Sequence, residues 1–360
     1  MESSPRREAS ANPSSPASQD GPLGQLLPIP DPAESARLLG SQGGLGLNAV
    51  PEGFRSGFVA LIGRPNVGKS TLLNQVVGTK VAITSPIAQT TRNRLRAILT
   101  TPTAQLVLLD TPGIHKPHHL LGERLVQTAR STIGEVDLVL LLVDGSQPAG
   151  RGDGFIVELL RHCKAPVHVA LNKSDLVDPD SADALIASYR ALLAGEGDFA
   201  TPEARAPLSW PLHTCSALEG AGTEALVKAL AADLPLGPQL YPADTVSDQP
   251  EQLLMAELIR EQVLQHTREE VPHSVAVSID RVVDDGPRTA ILATVLVERS
   301  SQKGILIGKG GSMLRTIGQG ARLQMEKVFS GPVYLELFVK VVPGWRRSAG
   351  RLAELGYRGD

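Results

Sequence analysis

From about Gly57 onward the chain alternates short apolar runs with stretches of helical periodicity. "GFVALIG" reads as a buried strand and residues 70–77 as a helix. "LRAILTTPTAQLVLLD" reads as two strands around a Thr-Pro turn, followed by a helix near 120–133 and the strand "VDLVLLLVD". A helix at 155–162, the strand "PVHVALN", a helix near 181–193, the strand "WPLHTCSA" and a helix at 222–234 complete the series. Strands separated by helices predict an α/β unit with a mostly parallel sheet and helices on both faces. In such a sheet, ligands gather beyond the carboxyl ends of the strands.

The proline-rich stretch at 235–250 breaks this rhythm, which predicts a first domain over 55–234, a linker, and a second unit over 251–360. "EQLLMAELIREQVLQHTREE" carries Leu254, Leu258 and Val263 at roughly helical spacing. "HSVAVSIDRVVDD" and "RTAILATVLVERS" alternate like paired strands around a turn holding Asp285 and Gly286. A Gly-rich loop in "GILIGKGGSMLRTIG", a helix to about Phe329 and the strand "PVYLELFVKVV" follow. The order is helix, strand, strand, helix, Gly-rich loop, helix, strand, an α+β unit with no internal repeat.

Residues 1–54 have another character. "MESSPRREASANPSSPASQDGP" is rich in Ser, Pro and Ala and nearly lacks large apolar residues. It cannot bury enough surface to offset its chain entropy, so a disordered extension is expected. Its early arginines faintly suggest a transit peptide, against which stand Glu2, Glu8 and Asp20. No apolar run nears the roughly 18 residues of a membrane helix. Aromatic residues make up only 3% of the chain, so aliphatic cores are expected, and the formal net charge of -3 does not announce a nucleic-acid binder. The two cysteines, Cys163 and Cys215, lack metal-ligand spacing, which fits a reducing, cytoplasmic setting.

Chemistry concentrates in "GRPNVGKST". Gly63, Gly68, Lys69 and Ser70 satisfy G-x-x-x-x-G-K-[ST] between a strand and a helix. Its glycines let successive N–H groups, with those of Asn66, Val67 and Thr71, face a polyphosphate. Lys69 and the helix N-terminus add positive potential, and Ser70 offers a hydroxyl to Mg2+. In "LVLLDTPG", Asp110 suits an outer-sphere or water-mediated contact to that ion and the Gly113 N–H can reach a γ-phosphate. In "ALNKSD", the Asp175 carboxylate can accept from guanine N1–H and N2–H2, which adenine lacks. Lys173 can lie over the base, Asn172 can tie this loop to the phosphate loop, and Ser216, Ala217 and Leu218 can offer backbone N–H groups to guanine O6. A Gly-rich turn that binds nothing and an ordinary helix-capping turn are the plain alternatives.

Together these pieces resemble the translation-factor-like class of P-loop GTPases. That resemblance implies a switch in "QTTRNR", with Thr90 or Thr91 covering the γ-phosphate and ligating magnesium; Thr91 is the expected ligand. The reaction implied is attack of water on the γ-phosphate of GTP, yielding GDP. Where many such enzymes carry a water-orienting Gln, this chain has Ile114, so slow intrinsic turnover is expected. In related GTPases with a hydrophobic residue there, an asparagine in the phosphate loop can help hold K+; Asn66 is the candidate, with stabilisation of the loop turn as its bland role. "HKPHH" (His115, His118, His119) reads as solvated surface rather than a metal site.

Gly308, Lys309, Gly310 and Gly311 form G-x-x-G between two helices, which looks like a type II KH domain, where this loop clamps unpaired nucleotides. Lys303, Arg315, Arg322 and Lys327 are candidates for phosphate contacts. A GTPase followed by KH resembles the Era family of bacterial ribosome-assembly GTPases over nearly all of 57–357, including "AQTTRNR", "DTPGIH", "NKSD", "LVERSSQKGILIGKGG" and "VKVVPGWRRSAGRLAELGY". The resemblance implies binding near the 3′ end of small-subunit ribosomal RNA, small-subunit assembly, and loose association with the inner face of the cell membrane. A monomer is expected. A P-loop kinase for a small metabolite, and an RNA-binding module with an inactive GTPase half, are the competing readings.

Overall fold

The structure, a computed structural model, describes residues 50–85, 95–111, 113–114, 130–196, 206–348, 350–351 and 355. The readings made for residues 1–49, for the switch at 89–94 with Thr90 and Thr91, for the histidine cluster and for most of the helix at 120–133 lie outside these.

Among the described residues the first sheet has six strands in the order β2-β3-β1-β4-β5-β6. They are β1 (Arg55–Ile62), β2 (Leu95–Thr100), β3 (Ala104–Asp110), β4 (Leu138–Asp144), β5 (Val167–Asn172) and β6 (Leu212–Thr214). All neighbours are parallel except β2 against β3. Strands β3, β4 and β5 read as almost unbroken apolar runs because both faces are covered. One face packs against α1 (Lys69–Val77) and α4 (Thr223–Asp233) through Leu72, Leu73, Leu226 and Leu230. The other packs against α2 (Arg151–Leu160) and α3 (Ala182–Ala194) through Ile156, Leu160, Tyr189 and Leu192.

Two elements depart from the sequence reading. Helix α2 begins at Arg151 rather than 155. Gly152 and Gly154 hide the start, since each lowers helix propensity by about 1 kcal/mol. The Asp153 carboxylate compensates by accepting the Gly150 N–H at 3.0 Å. Strand β6 is only three residues long. Pro211 has no N–H for the ladder, and past Cys215 the chain turns, the Ser216 N–H bonding Ala221 O at 2.8 Å.

The proline-rich stretch lies along β2 and β3. Buried Gln105 on β3 accepts the N–H groups of Leu240 (2.7 Å) and Tyr241 (2.9 Å) and donates to Tyr241 O (2.9 Å). Further on, the Ile98 N–H donates to Val246 O at 2.9 Å, and Arg96 pairs with Asp248 at 2.8 Å.

The second sheet runs β7-β8-β9, with β7 (Ala276–Asp285) and β8 (Arg288–Val297) antiparallel and β9 (Val333–Val341) parallel to β8. Helices α5 (Glu251–His266), α6 (Val271–Ser274, one turn), α7 (Ser300–Ile307) and α8 (Ser312–Val328) complete the order expected, with α6 as an addition. Leu258, Ile259, Val263, Ile291, Val295, Ile317, Ala321 and Met325 form its core. Ile83, from the chain after α1, is buried in that same core. Beside it the fully buried Glu261 of α5 accepts from Lys80 (2.5 Å) and from the Thr84 N–H (2.8 Å). Lys80 also donates to Gln324 of α8 at 3.1 Å.

Candidate nucleotide and nucleic-acid sites

The phosphate loop joins β1 to α1 at the carboxyl edge of the first sheet. Gly68 has φ +97°, and a Cβ there would lie 2.3 Å from Asn172 Nδ2, so only glycine fits. Asn66 also has a positive φ of 63°, a conformation Asn tolerates better than other side chains, and it is exposed. Lys69 folds back over the loop and donates to Gly63 O (3.1 Å) and Arg64 O (2.9 Å). Two ammonium protons are thus placed, and a third can meet another acceptor. Ser70 Oγ donates to Asp110 Oδ2 at 3.0 Å, which unites the two residues expected at a metal. Thr71 continues the first turn of α1.

Gly113 lies against Pro65, and the Ile114 N–H donates to Gly63 O at 3.0 Å, pinning the D-T-P-G segment to the loop. The Ile114 side chain is fully buried in the core beside Ile62 and Val143, not directed at solvent. The loop's own Arg64 is paired with Asp153 at 2.9 Å.

Burial lowers the Lys69 pKa to about 8, with Asp110 opposing the shift. Only the charged ammonium attracts a polyphosphate, and a bound polyphosphate would raise this pKa again. Above pH 8 the free protein must therefore take up a proton on binding. Nucleotide affinity is expected to be flat below about pH 8 and to fall, by up to about tenfold per pH unit, above it. Titration calorimetry between pH 7 and 9, in two buffers of different ionisation enthalpy, checks this. Absence of proton uptake at pH 8.5 would refute it.

The base-side loops are joined through Asn172, at the end of β5. Its Nδ2 donates to Val67 O (2.8 Å), and its Oδ1 accepts the Ala217 N–H (2.8 Å). This is the tie to the phosphate loop read from the sequence. It also spends the Ala217 N–H, while Ser216 donates its own to Ala221 O. A contact to guanine O6 thus needs the N–H of Leu218, whose side chain is 74% exposed, or a shared Ala217 N–H. Asp175 sits on the turn Ser174–Leu176 and accepts from Ser216 Oγ. Lys173 has φ +67°, and its ammonium meets Asp144 Oδ2 at 2.6 Å. Burial alone would raise the Asp144 pKa, but hydrogen bonds from Lys173 and Ser146 hold it below the usual carboxylate range. The sequence analysis does not single out Asp144; its place at the end of an apolar strand is the only local signal, since its approach to Lys173 comes from the pairing of β4 with β5.

In the second unit, Gly308, Gly310 and Gly311 all have positive φ, and Lys309 is exposed at the tip of the loop. Gly311, Leu314, Arg315, Gly318, Gln319, Arg322, Leu335 and Leu337 line a groove of about 470 Å³. Arg322 pairs with Glu326 at 2.7 Å along α8. Lys303 and Lys327 lie outside the groove lining. The floor, Leu335 and Leu337, was missed: it follows from the inward register of β9.

Comparison with known proteins agrees with both halves. A family model described as a 50S ribosome-binding GTPase matches residues 58–173, and one described as a KH domain matches 270–346. GTPase Era of Synechocystis sp. is 56% identical over 309 residues, covering 86% of this chain and 94% of its own. GTPase Era of Nostoc sp. is 56% identical over 316 residues, covering 88% and 94%. A crystal structure of Era in complex with MgGDPNP and nucleotides 1506–1542 of 16S ribosomal RNA aligns at 38% identity and a TM-score of 0.76, over 85% of this chain and 100% of its own. An Aquifex aeolicus Era variant bound to GDP and aluminium fluoride aligns with a TM-score of 0.75 at the same identity, over 85% of this chain and 100% of its own. A GTP-shaped loop system and a KH unit in one chain, with identity of this extent, place the protein in the Era family of GTPases.

Proposed function

We propose that this GTPase is an RNA-binding switch that engages unpaired RNA near the 3′ end of small-subunit ribosomal RNA and promotes assembly of the small subunit. The observation that carries this is the pairing, in one chain, of a phosphate loop tied through Asn172 to the N-K-S-D turn with a G-x-x-G loop beside an arginine-rimmed groove. The solved relative that holds 16S nucleotides supports the choice of RNA. We place the protein in the cytoplasm as a monomer, with loose contact to the inner membrane face. Among the described residues no helix is long and apolar enough to cross a membrane.

In this reading Gly63, Val67, Gly68 and Thr71 hold the phosphates, Lys69 neutralises their charge, Lys173, Asp175 and Leu218 read guanine, and Asn172 ties their loops to the phosphate loop. Ser70 and Asp110, already bonded to each other, are hard oxygen donors that fit Mg2+; the Ser70 hydroxyl and Thr91 would ligate it, and Asp110 would reach it through water. When bound, the ion neutralises charge on the β- and γ-phosphate oxygens. Hydrolysis joins a water oxygen to the γ-phosphorus and breaks its bond to the β,γ-bridging oxygen, releasing GDP and phosphate. Gly113 offers its N–H to the γ-phosphate. Ile114, buried in the core, does not orient the water, and Arg64 is engaged by Asp153. Asn66, whose side-chain carbonyl oxygen can coordinate a monovalent cation, is the loop residue suited to hold K+, which would offset charge developing on the bridging oxygen.

The test measures GTP turnover in potassium and in sodium at equal ionic strength, with and without a small-subunit RNA 3′ fragment. Because Asn66 has a positive φ, Asn66→Gly removes the side chain without straining the loop, whereas alanine would confound the two effects. Turnover should rise in potassium and with the RNA, and the potassium effect should vanish in Asn66→Gly. Equal rates in both salts would remove potassium from the mechanism, and indifference to the RNA would remove the switch.

A further inference from the structure

Aromatic side chains are few in this protein, yet two of them stand exposed on one strand. On β9 the side chains alternate: Leu335, Leu337, Val339 and Val341 pack toward the helices, while Tyr334, Glu336, Phe338 and Lys340 face out. Tyr334 is 47% exposed and Phe338 48%. Their directly paired neighbours across the sheet are small, Ala290 beside Tyr334 and Thr294 beside Phe338, so both rings stay about half exposed. Among the described residues β9 is an edge strand. Four residues apart on a strand, the rings lie about 13 Å from each other, too far to stack together. The Arg288 guanidinium lies 5.3 Å from the Tyr334 ring centre, and Lys340 is exposed at the far end of the row. Glu336, between the rings, keeps phosphates off the middle of the row and toward these two cations.

The same strand supplies the floor of the arginine-rimmed groove through Leu335 and Leu337. Groove and aromatic row are therefore the two faces of one edge strand. We propose that the RNA strand leaving the groove bends round the β9 edge and stacks bases on Tyr334 and Phe338, with Arg288 and Lys340 meeting its phosphates. Aromatic platforms flanked by cations are how unpaired nucleic acid is held with little sequence preference. This would lengthen the recognised segment beyond the roughly four nucleotides a G-x-x-G groove clamps. The inference rests on the RNA-binding reading above.

The experiment uses the full chain and two RNAs from the small-subunit 3′ region, one of four nucleotides and one lengthened by six at either end. Wild type should bind the longer RNA more tightly, and a 2-aminopurine placed in the added part should be quenched. Tyr334→Ser with Phe338→Ser should lose that gain, by about tenfold or more, while binding the short RNA as before; both sites are exposed, so folding is spared. Equal affinity of wild type for both RNAs overturns the inference and leaves groove binding intact. Loss of binding to isolated small subunits with unchanged RNA affinity overturns it in favour of a protein partner. Failure of wild type to bind the short RNA overturns the RNA-binding reading itself, and this inference with it.

Discussion

Asp175→Asn is expected to weaken GTP and GDP binding by as much as about 10⁴-fold and to raise affinity for xanthine nucleotides. In the proposed reading the carboxylate accepts from two guanine donors; an amide would present an N–H against one of them, leaving polar groups unpaired in a half-enclosed site. The fold should survive, since an amide oxygen can still accept the Ser216 hydroxyl that now bonds Asp175. Xanthine carries a carbonyl at C2 and matches the new donor. Competition binding with GDP, XDP and ADP on wild type and variant decides the matter. Unchanged GDP affinity would assign the N-K-S-D turn a purely structural role, and ADP competing equally with GDP in the wild type would end the guanine reading altogether.

The second large effect is expected at the G-x-x-G loop. Lys309→Asp combined with Gly310→Asp should weaken RNA binding by about 10²-fold and flatten its salt dependence by roughly one phosphate contact. The geometry makes this a test of charge rather than of folding. Gly310 has φ +61°, which Asp tolerates better than most residues, and a Cβ there meets nothing within 4 Å. Filter binding or anisotropy across a salt series would measure both terms. If the double variant binds as wild type does, the loop is only a connector between α7 and α8.

Much of this was legible in the sequence, for physical reasons that differ by site. The phosphate and base loops depend on local backbone geometry, so the glycines and the Asn-Lys-x-Asp spacing expose them directly. The order of strands and helices was legible because buried parallel strands read as continuous apolar runs. What was hidden depends on tertiary contacts. Asp144 acquires its role only when β4 and β5 lie side by side and bring it to Lys173. The use of the Ala217 N–H by Asn172 cannot be seen without the fold. The start of α2 was masked by two glycines, and the groove floor by the fact that β9 must first pair with β8. Nothing in the local pattern around Ile83 reveals that it belongs to the core of the second sheet.

That placement of Ile83, with the buried Glu261 bonded to Lys80 and Thr84, has a thermodynamic consequence. Alone, the second unit would keep a hole in its core and a carboxylate stripped of its cation; the first unit would expose an isoleucine to water. Each half thus completes the other's interior, and unfolding either one withdraws support from its neighbour. Nucleotide bound at the carboxyl edge of the first sheet then stabilises the second sheet too, by mass action through shared packing, and the chain gains the resilience of a larger cooperative body than either of its halves.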